Sequence, residues 1–331
     1  MTHHNISEND LNPDMPSFHP ILMHFAARHA GFSYRQFASY YRALVESNMK
    51  CLEDFGMDAV GLISDPYRET AAFGAAITFP EEGVPRCTGS VVESLEDIKQ
   101  LKDPDVYRAE RTRDRIRAGE ELSRLTGGSV PVIGWIEGPL AESCDLAGVN
   151  RVLLNLMMEP DFVKRLIDKT MVTARAFAKA QVEAGCSIIG VGDAICSQIS
   201  AENYREFVME KHRELFGFIH SLGARVKLHI CGDITHLLES LREVEPDILD
   251  LDWMVDMEHA WHLLGPGISR CGNLDPVSVI QDTDPGTIRE KTSALCARES
   301  DRAFILSGGC EITVNTPPAH LLAMKEGSMH T

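Results

Sequence analysis

Short apolar runs rich in Val, Ile and Leu alternate along this chain with longer stretches of helical spacing. Eight runs stand out: 20–25 (PILMHF), 57–63 (MDAVGLI), 130–135 (VPVIGW), 186–191 (CSIIGV), 225–230 (RVKLHI), 248–251 (ILDL), 268–274 (ISRCGNL) and 303–306 (AFIL). They show little polar alternation, as strands covered on both faces do. Helical patterns fill the gaps. One spans 34–55 before Gly56, and one runs over 161–184 from a Pro-Asp start to Gly185. Another, 201–222, follows Ser200 as N-cap and stops at Gly223, and 234–244 and 285–298 behave similarly. Eight strands alternating with helices predict an α/β fold, a (β/α)8 TIM barrel. The alternative is a doubly wound open sheet, but no Gly-x-Gly-x-x-Gly follows the first strand. The gap at 64–129, with its turn-rich EEGVPRCTG and polar helix at 106–125, reads as an insertion between strands two and three that caps the mouth. Residues 1–17 read as a loose arm and 18–331 as one barrel domain, with no internal repeat and no low-complexity segment.

Composition narrows the function. The 331 residues are 44% apolar and 24% charged, ordinary for a globular protein, and allow a large core. The net charge of −17 argues against nucleic acid and anionic membranes as partners, since both need concentrated Lys and Arg. No apolar run approaches the roughly 20 residues that span a bilayer. The opening MTHHNISENDLNPDMP lacks the basic-then-apolar order of a signal peptide, so a cytoplasmic location is expected. In a reducing compartment the nine cysteines are not a disulfide framework. Cys51, Cys186 and Cys296 lie in apolar or helical stretches and read as buried thiols.

In such a barrel, function sits at the C-terminal ends of strands. The fifth run ends in Leu228-His229-Ile230-Cys231-Gly232-Asp233. His229 and Cys231 are two apart, so on a strand both side chains point to one side. The eighth run leads into Ser307-Gly308-Gly309-Cys310-Glu311. Imidazole and thiolate are the ligands zinc prefers, and three of them leave a position open for substrate or water. Cys231 and Cys310 lie 79 positions apart, which excludes a zinc knuckle, whose ligands come in close pairs. By itself His-x-Cys arises easily by chance; the placement at two strand ends gives it weight.

Several stretches resemble a known family. LHICGDITHLLESL, SRCGNLDP and ILSGGCEITVNTPPAHLLAM, with FGMDAVGLISDPYRETAAFGA, WIEGPLAES and GVGDAICSQISAENYREFV, resemble the uroporphyrinogen decarboxylase superfamily. Within it they are similar to the zinc-dependent, corrinoid-linked methyltransferases, such as methylcobamide:coenzyme M methyltransferases and the methyltransferase components of O-demethylases. The resemblance runs from about residue 18 to the end and implies a (β/α)8 barrel. It implies Zn2+ on His229, Cys231 and Cys310, and a corrinoid (methylcobamide) as methyl donor or acceptor, carried on a partner protein. It further implies a small-molecule methyl donor or acceptor whose thiol or oxygen the zinc activates, with the direction of transfer open. Some superfamily members dimerise, which leaves a homodimer open. The decarboxylases proper lack the thiolate pair and carry an Arg-rich segment near the first strand. Here that place reads HFAARHAGFSY, with Arg28 alone before Arg35. Porphyrinogen decarboxylation is therefore the second reading, and a non-catalytic, zinc-stabilised module that binds a corrinoid protein is the third.

Other strand-end residues carry paired readings. Asp193, after the fourth run, orients a ligand or caps a turn. Glu137 and Glu311 serve as fourth ligand or as partners of a metal-bound group, or are solvated or capping carboxylates. Asn273 and Asp275 of GNLDP line the pocket or build the turn. His24, expected at the end of strand one, faces the mouth or is a satisfied core histidine. Cys196 and Cys271 lie near the mouth without needing to bind anything.

Overall fold

A computed structural model of the chain describes residues 17–329. Eight strands form one sheet: β1 (Ser17–Phe18), β2 (Val60–Gly61), β3 (Val132–Glu137), β4 (Ile188–Gly192), β5 (Arg225–His229), β6 (Ile248–Asp250), β7 (Ser269–Leu274) and β8 (Phe304–Gly308). They are parallel throughout, in the order β1-β8-β7-β6-β5-β4-β3-β2. The two ends of that order meet through Asp58. Its N–H donates to the Phe18 carbonyl at 3.0 Å, and its carboxylate accepts the Phe18 N–H at 2.7 Å. With helices between the strands, this is the expected (β/α)8 TIM barrel. No helix among the described residues is long and apolar enough to cross a membrane.

The first strand is not where the hydrophobic pattern puts it. β1 ends at Phe18, and of the run 20–25 the first four residues are a loop and the last two open the helix His24–Ala30. Pro20 has no N–H to give a ladder, so pairing stops at His19, whose N–H still reaches the Leu306 carbonyl at 3.0 Å. Ile21 and Leu22 are buried as loop residues, not as strand. Ser17 is buried and pairs with Ile305, so the arm expected over 1–17 ends at least one residue earlier; the rest of it lies outside the described residues.

The helix expected over 34–55 is two helices, Tyr34–Ser39 and Tyr41–Phe55. Ser33 and Gln36 form a capping box on the first. Tyr40 between them is extended, and Asp114 accepts the freed Tyr41 N–H at 2.8 Å. The insertion contains a helix (Arg68–Ala72), a hairpin (Ala76–Thr78 with Arg86–Thr88) and a second helix (Leu95–Gln100). Its polar helix, Glu110–Thr126, packs on Tyr41–Phe55 and on β3 as an outer helix of the barrel. Glu82 of the insertion reaches His24, and Arg68 reaches Glu137, so the segment overhangs the C-terminal mouth.

The barrel interior combines an apolar layer (Ile133, Trp135, Ile188, Ile248, Ile305) with two polar groups, His19 and Lys227. The Trp135 indole needs Gly190 beside it: a Cβ there would lie 2.3 Å from the ring. A small cavity of about 40 Å³ between β1, β2 and β3 is lined by His19, Trp135 and Lys227 among others.

Candidate metal centre

His229 is the last residue of β5 and is buried; Cys231, two residues on, follows the same side into the loop. Cys310 lies two residues past β8. The structure brings the three together, with His229 Nε2 at 2.8 Å from Cys231 Sγ and the two sulfurs 3.7 Å apart. All three ligand atoms lie within 4.8 Å of one another. With Zn–S bonds of about 2.3 Å, two sulfurs of a tetrahedral zinc stand about 3.8 Å apart, which matches the sulfur spacing. The His229–Cys231 distance is that of a hydrogen bond, so Cys231 Sγ would move by about 0.7 Å to share a metal with the ring. One imidazole and two sulfurs suit zinc and disfavour Mg2+ or Ca2+, which take oxygen.

Local electrostatics favour a thiolate. The Cys231 thiol donates to Cys310, and together with the adjacent His229 ring this outweighs burial and brings the Cys310 thiol down to about 4. The same bond and burial hold Cys231 up as the donor. His229 is pushed above the usual imidazole range; burial opposes this, but Cys231 and Asp250 beside it prevail.

Around these three stands a ring of residues that the strand-end motifs did not reveal. Asp250, in register with His229 across the β5–β6 ladder, accepts from its Nδ1 at 2.9 Å. Lys227, on the same face of β5 as His229, pairs with the other oxygen of Asp250 and lies 3.1 Å from Cys271 Sγ. Asp252 accepts the Gly232 N–H at 2.8 Å and so holds the loop after Cys231. A lysine in the middle of RVKLHI and an aspartate at the end of ILD were the sequence signals, since charge inside an apolar strand demands a partner.

The remaining candidates separate clearly. Asn273 donates to the Val255 carbonyl at 2.8 Å and the Asp252 carbonyl at 3.3 Å, fastening the loop beside Cys310. Asp275 builds a turn, taking the N–H groups of Val277 and Ser278 at 2.8 and 3.0 Å. Glu311 accepts the His24 N–H at 2.9 Å at the start of the helix His24–Ala30; burial pushes its carboxyl up to about 7. His24 stands in that helix, not at a strand end as expected, with Nε2 2.9 Å from Glu82 and its ring 4.6 Å from the Tyr34 ring. Asp193 is fully buried. Its oxygens accept from Leu140 and Ala141 N–H, at 3.3 and 2.7 Å, and lie 3.0 Å from His212 Nε2. Asp193, Cys196 and His212 are also clustered closely enough to hold an ion, but both nitrogens of His212 are engaged, by Asp193 and by the Tyr204 hydroxyl.

Glu137 ends β3 and pairs with Arg68 at 3.1 Å. Around that one guanidinium lie Glu69, Glu142 and Asp145 as well. Burial, aided by these like charges, holds the carboxyls of Glu137, Glu142 and Asp145 well above the usual range. That side of the mouth is acidic.

Comparison with known proteins agrees with this architecture. A methylcobamide:CoM methyltransferase, MtbA, of Methanosarcina mazei is 29% identical over 275 residues, covering 82% of this chain and 79% of that protein. A uroporphyrinogen decarboxylase of Carboxydothermus hydrogenoformans is 25% identical over 293 residues, covering 86% and 82%. A solved methyltransferase from Methanosarcina mazei superposes with a TM-score of 0.87 over 96% of this chain and 94% of its own; at 19% identity, this likeness concerns the fold. The relatives are enzymes of two kinds, methyltransferases and decarboxylases. The family model described as uroporphyrinogen decarboxylase (URO-D) matches residues 14–327, nearly the whole length, and the chain belongs to that family.

Proposed function

We propose that this protein is a zinc-dependent methyltransferase, moving a methyl group between a corrinoid on a partner protein and a small thiol or oxygen substrate. The observation that carries the reading is the convergence of one imidazole and two cysteine sulfurs at the barrel mouth, with both cysteines part-exposed. His229, Cys231 and Cys310 would hold the zinc and leave its fourth position to the substrate. Zinc bound there supplies charge stabilisation for the substrate's thiolate or phenolate near neutral pH.

The chain's own residues set the stage. Asp250 takes the Nδ1–H of His229 and leaves Nε2 free to ligate. The Trp135 ring, 5.9 Å from the His229 ring, shields the imidazole on its inner side. Asp252 and Asn273 fix the two loops that flank Cys310. Trp253 and Met254, exposed on that rim, offer an apolar surface to a corrinoid-bearing partner. Asp193 acts as a positioning residue, since its oxygens are taken up by the helix Pro139–Ala147 and His212. Glu137 contributes to the acidic side of the mouth. That side speaks against a polycarboxylate porphyrinogen, since its buried arginine, Arg68, is already engaged by Glu137 and ringed by Glu69, Glu142 and Asp145.

The test is to mix the protein with methylcobalamin and a panel of thiols, phenols and tetrahydrofolate and to follow the cobalt absorption. Demethylation with one acceptor class, abolished in Cys310→Ala while circular dichroism is unchanged, is the expected result. Porphyrinogen turnover with no cobalt change would reverse the reading. Loss of fold on chelation would turn it toward a structural zinc module.

A further inference from the structure

We propose that Lys227 is a positioning residue of the metal centre, acting on His229 through Asp250. This rests on the zinc reading given above and extends it inward. Lys227 is 2% exposed and sits in the barrel interior, below the mouth. A buried ammonium is costly unless paired, and this one is paired twice, with Asp250 Oδ1 and with Cys271 Sγ at 3.1 Å. Asp250 Oδ2 lies 2.9 Å from His229 Nδ1. The chain of contacts is therefore Lys227–Asp250–His229, with each oxygen of one carboxylate assigned to a different partner.

Two consequences follow from that geometry. First, a carboxylate anchored at one oxygen cannot rotate, so it fixes the plane of the imidazole and the nitrogen that faces the sulfurs. Second, the charges close. Zinc with two thiolates is neutral, which leaves Asp250 as one uncompensated buried anion; Lys227 cancels it. Without Lys227 the carboxylate would remain buried beside two thiolates with nothing opposite but the metal and its ligand ring. Lys227 touches no substrate, and its position two residues before His229 on the same strand face is what lets it work from beneath.

The experiment is a double-variant cycle on the full-length protein: Lys227→Met, Asp250→Asn and both together. Zinc affinity is read by competition with a chromogenic chelator, the cobalt(II)-substituted absorption spectrum reports ligand geometry, and circular dichroism reports the fold. Each single variant is expected to bind zinc about 10- to 100-fold more weakly, the range for residues that orient metal ligands. The double variant is expected to bind no more weakly than Asp250→Asn, because Lys227 acts only through that carboxylate. Wild-type zinc affinity and an unchanged cobalt spectrum in folded Lys227→Met would overturn the proposal. So would losses that multiply in the double variant. Should Lys227→Met not fold, Lys227→Gln takes its place: weaker zinc binding with an altered cobalt spectrum in that folded variant supports the proposal, and wild-type values for both sink it. His229→Ala is the control for the parent reading. If it keeps full zinc content, the zinc assignment itself fails, whatever Lys227 does.

Discussion

At the scale of single residues, the cysteines are chemically unequal. Cys310 is part-exposed and its thiol is brought down to about 4 by the hydrogen bond from Cys231 and the nearby His229 ring. Burial pushes the Cys51, Cys186, Cys271 and Cys296 thiols up to about 12, and raises Cys144 and Cys196 as well. Thiolates, not thiols, are alkylated. In metal-stripped protein at pH 7, iodoacetamide is therefore expected to label Cys310 at least tenfold faster than any buried cysteine, and zinc is expected to suppress that labelling. Peptide mass spectrometry checks both; uniform labelling, or labelling insensitive to zinc, would remove Cys310 from the centre.

At the scale of elements, the polar network at Asp193 joins the end of β4 to the helix Pro139–Ala147. That helix starts at Gly138 without a side-chain cap of its own, and Asp193 supplies one from the neighbouring strand. Gly138 must be glycine for this approach, since a Cβ there would lie 2.4 Å from Asp193. Asp193→Ala removes the cap and one partner of buried His212, and should cost about 2 kcal/mol or more, read by denaturant unfolding. Asp193→Asn, which keeps an acceptor, should cost less. Loss of the metal without loss of stability would point to a direct role instead. The same contrast shows what the sequence could and could not reveal. Strands 225–230 and 303–306 were legible from their apolar runs, and His229, Cys231 and Cys310 were legible because they end such runs. Asp193 was visible as a strand-end carboxylate, but its partners on another helix were not. Asp250 and Lys227 escaped notice because their meaning depends on register: only the pairing of His229 with Asp250 shows that one carboxylate faces both the ring and the ammonium. The first strand was misplaced because PILMHF is apolar for a different reason, burial of a loop against the core after Pro20 ends the ladder.

At the scale of the whole molecule, buried ionisable groups set how stability responds to pH. Arg111 pairs with Asp65 at 2.7 Å and, against the cost of burial, holds that carboxyl below its ordinary range. A depressed carboxyl stabilises the fold above its unfolded value of about 3.9, and that contribution is lost as pH falls further. The acidic side of the mouth works in the opposite sense. Burial holds Glu142, like Glu137 and Asp145, well above the usual range, so the folded chain keeps protons that the unfolded chain releases. The folded state binds more protons in that window, so stability falls as pH rises from about 4.3 through the folded value. Glu142 accepts the Thr70 hydroxyl at 3.0 Å, a bond that a glutamine carbonyl can also accept. Glu142→Gln keeps the shape and drops the charge. Its melting temperature should match the wild type near pH 4.5 and exceed it at pH 8, by about 2–4 °C for each kcal/mol relieved in a domain of this size. Scanning calorimetry across that range decides it. A variant less stable than the wild type at pH 8 would mean that the ionised carboxylate is bound by a cation or by Arg68 after all, and the mouth would then have to be read as a site for positive charge.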